Sequence, residues 1–557
     1  MNTDVRPSDE SPASRAVRAV DGIVLTAIVA AALALRCWRL NERGLWFDEA
    51  FSWRLTTFGW REMLHRATLD NNPPLYYVVL KLWTACFGTG AAAMRSLSVL
   101  AGTAACLAGY LFVSEAYSTG NARQSLPPKQ LRSAALLAAA LTAVSVLQIR
   151  WSWEVRMYSL GSLLAALSSW LLVRALHRQS LAPWLLYAAA ALAFAYTHTF
   201  ALFSVAAQSV YAAGYLLLAP HDRIGGASAA TARCVGPRGV PAPRDRWRVA
   251  RHYAGPCLAA VVVAGGYAPW LGVLLRQHEQ VRASFWTEPC TWACVAKAAN
   301  QMFIDPLETA AADGKGWACA GMTAAVLVGL AFRPLPADCF LCLSAVVPTA
   351  AAALISAYDI PIFEGRYLAF AQLFVLCALA RLASDVPRRL ERAVIAAVLV
   401  AGFLVVMFDF TSRLPQAGSS GLRQAAEHVL AHGQPNDVAI VCSPYFFLPM
   451  LHELDQARDC RLLSSRTPIL HYEGAAALTA QDLISPREAS AVQSNRVWVL
   501  EGGTDAAAVL LPQRRWRRAS VSTFFEEYGI GGPLRLIEYE LLEHQESAAP
   551  AIAVPRR

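Results

Sequence analysis

The sequence predicts an all-α polytopic membrane protein that ends in a small α/β domain. Three observations carry that expectation. First, 56% of the 557 residues are hydrophobic and only 16% are charged, whereas a soluble domain carries about 25% charged residues. Second, apolar runs near the roughly 20 residues that a spanning helix needs recur from 22 to 409, separated by short polar loops. Third, the composition changes after about Arg413. There the helix-like GLRQAAEHVLAHG is followed by short β-rich runs, DVAIVC, CRLLS, NRVWVLEGG and PLRLIEYELLEH. Helical periods alternating with short strands read as α/β. The predicted organisation is an N-terminal tail over 1–21, a membrane domain over 22–410, an α/β domain over 411–545 and a tail over 546–557.

The elements follow from apolar runs and from charge. Arg15 and Arg18 precede the first run, 22–38. Positive flanks stay cytoplasmic, so the N-terminus is predicted inside and the following loop outside. That N-terminus is long and polar, and its apolar run lacks a small-x-small cleavage site, so a retained span is expected rather than a signal peptide. The next run, 73–88, is short, opens on Pro73-Pro74 and contains Lys81. If it crossed, the loop with Arg123, Lys129 and Arg132 and the arginine-rich loop before Tyr253 would both lie outside, against the positive-inside bias. It is therefore read as a juxtamembrane helix, with Lys81 snorkelling to the surface. Spans are expected at 91–113, 134–149, 157–173, 184–197, 200–218, 253–275, 317–332, 339–357, 367–383 and 393–409. With the first, this makes about eleven. The α/β domain then falls outside. The net charge of +9 sits in short loops between apolar runs, which excludes nucleic acid as a natural partner and points to membrane lipid.

On this path the unusual polar residues share one side. Asp48, Glu49 and Asp70 lie in the first outer loop among Trp46, Trp53, Trp60, Tyr76 and Tyr77. Glu154, Arg156 and Tyr158 follow in WSWEVRMYSL, His198 in YTHTF, and Arg366 and Tyr367 in FEGRYL. Ionisable groups at a membrane are functional candidates. An acid can serve as general base, and arginine holds phosphate through paired hydrogen bonds at any working pH. Each residue also has a plain reading. Asp48 suits a loop, Asp70 suits the cap of a helix starting at Pro73-Pro74, and Arg156 suits a pair with Glu154. His198 and Tyr367 suit the interface.

The combination of GLWFDEA, DNNPPLYYVVLKLW, MRSLSVLAG, RWSWEVRMYSL, THTF and GRYL resembles the bacterial glycosyltransferase family 39 group. These are GT-C membrane glycosyltransferases, relatives of the protein O-mannosyltransferases and of the lipid A aminoarabinose transferase. The resemblance spans 40–368 and is most specific over 48–158. It implies a GT-C type fold in the cell inner membrane and a polyprenyl phosphate sugar donor. It further implies inverting transfer to an acceptor at the periplasmic face, with protein, lipid and glycan all open as acceptors. Asp48 matches the family's base position. Its second acid corresponds to Glu49 or to Asp70. Arg156, Arg366 and Tyr367 are the expected donor-phosphate group. Some relatives bind a divalent metal near these acids, which makes Asp48, Glu49, Asp70 and His198 candidate ligands.

The 13 cysteines are mostly scattered through apolar runs, where cysteine acts as a small hydrophobe, and no C-x-x-C zinc or haem pattern is present. Cys442 and Cys460 are a candidate disulfide in an oxidising compartment. Cys290 and Cys294 would need non-helical geometry to bridge. The competing function is a transporter or flippase of a lipid-linked or polar substrate. Transporters place charges and broken helices at mid-membrane, often within repeats; here the polar residues fall at span ends and no repeat is evident. A non-catalytic scaffold would leave the gathering of acids and arginines without a cause.

Overall fold

The structure is a computed structural model. It describes residues 12–118, 125–178, 180–218, 243–284, 291–305, 314–333, 335–385, 388–405, 420–455, 457–464, 469–502, 511–527 and 531–542. Contacts divide the chain into two compact units. The first joins Met1–Leu40 to Leu55–Arg413, and the second joins Asn41–Arg54 to Leu414–Arg557.

The first unit is a helix bundle. Its helices are α1 (Pro12–Cys37), the end of α2 (Phe47–Thr57), α3 (Trp60–Leu69), α4 (Leu75–Phe87), α5 (Ala91–Ala116), α6 (Pro128–Val144), α7 (Val146–Ser152) and α8 (Tyr158–Arg178). They continue as α9 (Leu181–Ala195), α10 (Ala201–Leu218), α11 (Pro243–Ala283), α12 (Trp292–Phe303), α13 (Gly314–Ala331), α14 (Pro336–Tyr358), α15 (Ala369–Ala383) and α16 (Arg388–Leu404). Among the described residues eight spans are long and apolar enough to cross a membrane, nine if the bent pair α6 and α7 counts as one. Among the described residues a helix stands at each of the eleven predicted positions. Those outside the length test are α9, with 15 residues, and α16, with 17. The chain is thus a polytopic membrane protein. Helix α4 has 13 residues, about 20 Å at 1.5 Å per residue, too short for a hydrocarbon core of about 30 Å. Lys81 does more than snorkel. Its Nζ donates to the carbonyls of Thr56 and Phe58, at 2.6 and 2.7 Å, where α2 ends.

The turns between helices collect at two ends of this unit. At one end, the amide of Leu75 donates to the Tyr196 carbonyl (3.0 Å), and His278 and Arg282 of α11 reach Asp359 beyond α14 (2.9 and 3.3 Å). At the other end, the Tyr117 hydroxyl donates to Asp338 Oδ1 (2.6 Å), with Arg381 Nε 3.7 Å from the same oxygen. Arg333 and Arg381 meet Asp385 there, and Arg174 meets Glu115. Removing Asp338 or Arg381 from their buried pair costs about 3–5 kcal/mol. Between the ends, alanine-rich α6 is buried along most of its length, and α15 packs on it. Small residues let membrane helices approach closely, which replaces the hydrophobic drive that lipid does not supply.

The second unit is built on a six-stranded sheet of order β3-β2-β1-β4-β6-β5. The strands are β1 (Val438–Val441), β2 (Asp459–Leu463), β3 (Leu483–Ile484), β4 (Arg496–Gly502), β5 (Trp516–Glu526) and β6 (Gly532–Leu541). β3, β2, β1 and β4 run parallel, and β6 and β5 add antiparallel. β1 is buried at every position, which is why DVAIVC is a continuous apolar run. β5, at the edge, mostly alternates between exposed and half-buried residues. Helices α17 (Gly421–His432), α18 (Pro444–Glu453) and α19 (Pro486–Ser490) complete the unit. Cys442 and Cys460 are both buried and no disulfide joins them, so the candidate bridge is not formed. Apolar burial pushes the Cys460 thiol well above its ordinary pKa. Cys294 is also free, and Cys290 lies outside the described residues.

Candidate active site

The structure gathers one group of predicted residues at a single end of the helix bundle. The centre is His198, in the turn between α9 and α10, 3% exposed. Its ring stands 5.5 Å from Tyr158, 5.8 Å from Tyr367 and 5.5 Å from Phe370. Tyr158 lies against Trp151 (4.1 Å), and Tyr367 stacks on Phe200 (4.9 Å, 28°). The Phe200 amide donates to His198 Nδ1 (3.1 Å), so the neutral ring carries its proton on Nε2 and acts there as a donor. Burial, followed by the field of Arg156, pushes the His198 pKa down to about 3. Arg156 is itself buried, and its carbonyl accepts from Ser98 Oγ (3.4 Å). Arg366 places its guanidinium 5.4 Å from the Tyr367 ring centre. Two arginines some 200 positions apart in the sequence thereby flank one aromatic nest. Glu154 is paired with Arg150 on the adjoining turn.

The 3-10 turn Gly365–Leu368 that carries Arg366 and Tyr367 is fixed from α12. Lys297 Nζ and Gln301 Nε2 hold the Glu364 carboxylate at 3.2 and 3.1 Å, and the Gly365 amide donates to Gln301 Oε1 at 2.6 Å. A Cβ on Gly365 would stand 2.5 Å from that oxygen and 3.0 Å from the Ala298 carbonyl. Only glycine lets the turn approach α12 so closely. Lys297 and Gln301 escaped sequence reasoning. Their signal is an i, i+4 polar pair in WACVAKAANQMF, a helix that falls between the spans expected at 253–275 and 317–332.

Asp70 is also placed in the first unit. It ends α3, and its carboxylate accepts from the Tyr77 hydroxyl (2.7 Å) and Asn72 Nδ2 (3.4 Å). It does not cap α4, whose N-cap is Pro74. Gln277 of α11 donates to its carbonyl. This acid therefore ties α3, α4 and α11 together.

Asp48 and Glu49 belong to the second unit, in the first turn of α2. The Glu49 carboxylate is fully buried, 2.5 Å from Arg43 Nη1, and accepts the Trp46 amide at 3.3 Å. Asp48 is half-buried, and its carbonyl accepts from Ser52 Oγ (3.0 Å). A carboxylate in a first helical turn is favoured by the helix dipole. Beside α2, Arg43–Phe47 line a small cleft with Ser420, Tyr445, Phe446 and Glu526.

Among the described residues no three His, Cys, Asp or Glu side chains stand together as ligands would. His198 has Nδ1 engaged and a proton on Nε2, and Glu49 is committed to Arg43.

No family model and no curated protein sequence matches the chain. Among solved structures, ArnT from Cupriavidus metallidurans in the apo state aligns over 93% of this chain and 98% of its own, with TM-score 0.56 and 13% identity. The same protein bound to undecaprenyl phosphate aligns over 95% and 99%, with TM-score 0.51 and 14% identity. The fold is that of ArnT. It is a polytopic helical fold with a small C-terminal α/β domain, as the sequence predicted. Nearly the whole of ArnT is covered, so the likeness takes in the α/β domain as well as the helices.

Proposed function

We propose that this chain is a membrane glycosyltransferase that moves a sugar from a polyprenyl phosphate donor to an acceptor at the periplasmic face of the inner membrane. The observation that carries the reading is the pair Arg156 and Arg366 flanking the aromatic nest of His198, Tyr158 and Tyr367 at one end of the helix bundle. A lipid phosphate presents its charge where helices meet headgroups, and guanidinium groups are suited to bind it. Neutral His198 offers Nε2–H to a phosphate or sugar oxygen. The ArnT structure that contains undecaprenyl phosphate supports a polyprenyl carrier.

In the proposed single displacement, Asp48 accepts the proton of the acceptor hydroxyl as that oxygen attacks the anomeric carbon. The bond from that carbon to the phosphate oxygen breaks with inversion. Polyprenyl phosphate leaves, its charge stabilised by Arg156 and Arg366. Glu49 serves by holding Arg43 and the first turn of α2. The N-terminus faces the cytoplasm, and the candidate site and α/β domain face the periplasm.

The test is donor consumption by the purified full chain supplied with a labelled polyprenyl phosphate sugar and a membrane extract as acceptor source. Asp48→Asn should lower kcat by about 10²–10⁴, the usual contribution of a general base, and Arg156→Gln should raise the donor KM. Wild-type turnover in Asp48→Asn would remove it as the base. Sugar movement across sealed vesicles without consumption of the donor linkage would favour the transporter.

A further inference from the structure

We infer that the C-terminal α/β domain holds the candidate base in position, with Arg54 and Asp482 as the positioning pair. This rests on the reading of Asp48 given above. Asn41–Arg54 lies early in the chain, yet it packs as part of the second unit. The attachment is made along α2. Phe47 meets Tyr445 edge to face at 5.2 Å, and Trp53 meets His452 at 4.9 Å. Arg54 Nη2 lies 3.0 Å from each oxygen of Asp482. Asp482 is set for this role, because its Oδ2 also accepts the Thr479 amide (2.7 Å) and hydroxyl (2.8 Å). The pair is largely buried, with side-chain exposures of 18% and 10%.

Asp48 and Arg54 are six positions apart on one helix, a rise of about 9 Å. A helix is stiff over that distance, so a shift at the Arg54 end tilts the carboxylate. Misplacing a reacting group by about 1 Å costs up to about a hundredfold in rate. The domain thereby gains a task in the reaction.

The experiment uses the full chain in lipid nanodiscs and reads donor consumption together with backbone hydrogen exchange. Arg54→Gln and Asp482→Asn should each lower kcat by about ten- to a hundredfold, with the donor KM within about threefold of wild type. The double variant should be no worse than either single, since one interaction is shared. Arg54→Lys, which keeps the charge, should recover much of the loss. Exchange in 47–54 should rise in both single variants while exchange in 91–116 stays fixed, which separates a released helix from a misfolded protein. Wild-type kcat in the single variants, losses that multiply, or unchanged exchange in 47–54 would each overturn the inference. Asp48→Asn is run alongside. If it turns over like wild type the base reading falls, while the exchange data still decide whether the domain holds α2.

Discussion

His198 shows how a residue's chemistry follows from its shell. In the sequence it was a histidine at the end of a span, suited equally to an interface or to a ligand set. In the fold it is enclosed by aromatic rings, accepts an amide on Nδ1 and lies in the field of Arg156. Burial and that charge both disfavour the imidazolium, so its pKa falls from the ordinary value near 6.5 to about 3. The ring should stay neutral across the working range. In nitrogen-15-histidine-labelled protein its resonance is expected to show no titration between about pH 5 and 8; a midpoint near 6.5 would contradict the enclosed geometry. The sign for stability follows. The unfolded chain takes up a proton as pH falls through about 6.5 while the folded chain does not, so this site lowers stability on acidification from 6.5 toward 3. The arginines and tyrosines of this nest were legible because charges beside apolar runs stand out. Gln301 was not, since an uncharged amide gains its meaning only from the Glu364 and Gly365 that it holds.

The break between α6 and α7 shows the same dependence for whole elements. LTAVSVLQIR reads as one continuous span, yet the two helices bend by 57° at Ser145. The bend frees carbonyls in the last turn of α6, and a buried arginine takes them. Arg36, in the last turn of α1 and fully buried, donates to the carbonyls of Thr142 (3.1 Å), Ala143 (2.9 Å) and Ala32 (3.1 Å) and to Ser152 Oγ (3.2 Å). Its charge sits at the negative ends of two helix dipoles. Leaving a buried carbonyl unmet costs about 1–3 kcal/mol. Arg36→Leu should therefore lower the thermal midpoint in detergent by several degrees, with Arg36→Lys in between. A Leu variant as stable as wild type would show that the break needs no cationic cap. In the sequence Arg36 was only a charge near the end of an apolar run. The spans were legible because lipid requires a long apolar stretch whatever its neighbours, and the kink was not, because its cause lies over 100 positions upstream.

At the scale of the molecule, the alternation of helix turns between two ends of the bundle is a matter of geometry, and their assignment to compartments rests on charge. Arg132, Arg174, Arg333 and Arg381 belong to the end opposite His198. The positive-inside bias predicts that this end faces the cytoplasm. In a cysteine-free background, Lys129→Cys should react with an impermeant maleimide only from the cytoplasmic side, and Trp292→Cys only from the periplasmic side. Both positions are exposed. The reverse pattern would mean that α4 crosses the membrane and that every later loop changes sides. The contact units also redraw the expected domains. The reading of 22–410 as one membrane domain followed local hydropathy, whereas contacts place Asn41–Arg54 with the C-terminal sheet. Phe47, Trp53 and Arg54 find Tyr445, His452 and Asp482 some 400 positions later, and no local pattern announces such partners.

By itself the sequence determined the class of the protein, the positions of its apolar helices, the α/β character of its C-terminal part and the motifs that resemble GT-C enzymes. Those properties are written locally, in the length of apolar runs, the alternation of short strands and the identity of residues in the loops. Only the tertiary structure decided that Arg156 acts on His198 while Arg366 lies against the neighbouring Tyr367 ring, that Glu49 and Asp70 spend their carboxylates on Arg43 and Tyr77, and that α2 packs with the distant α/β domain. Each of those facts depends on which side chains meet across the chain, because burial, field and hydrogen bonding belong to neighbours in space.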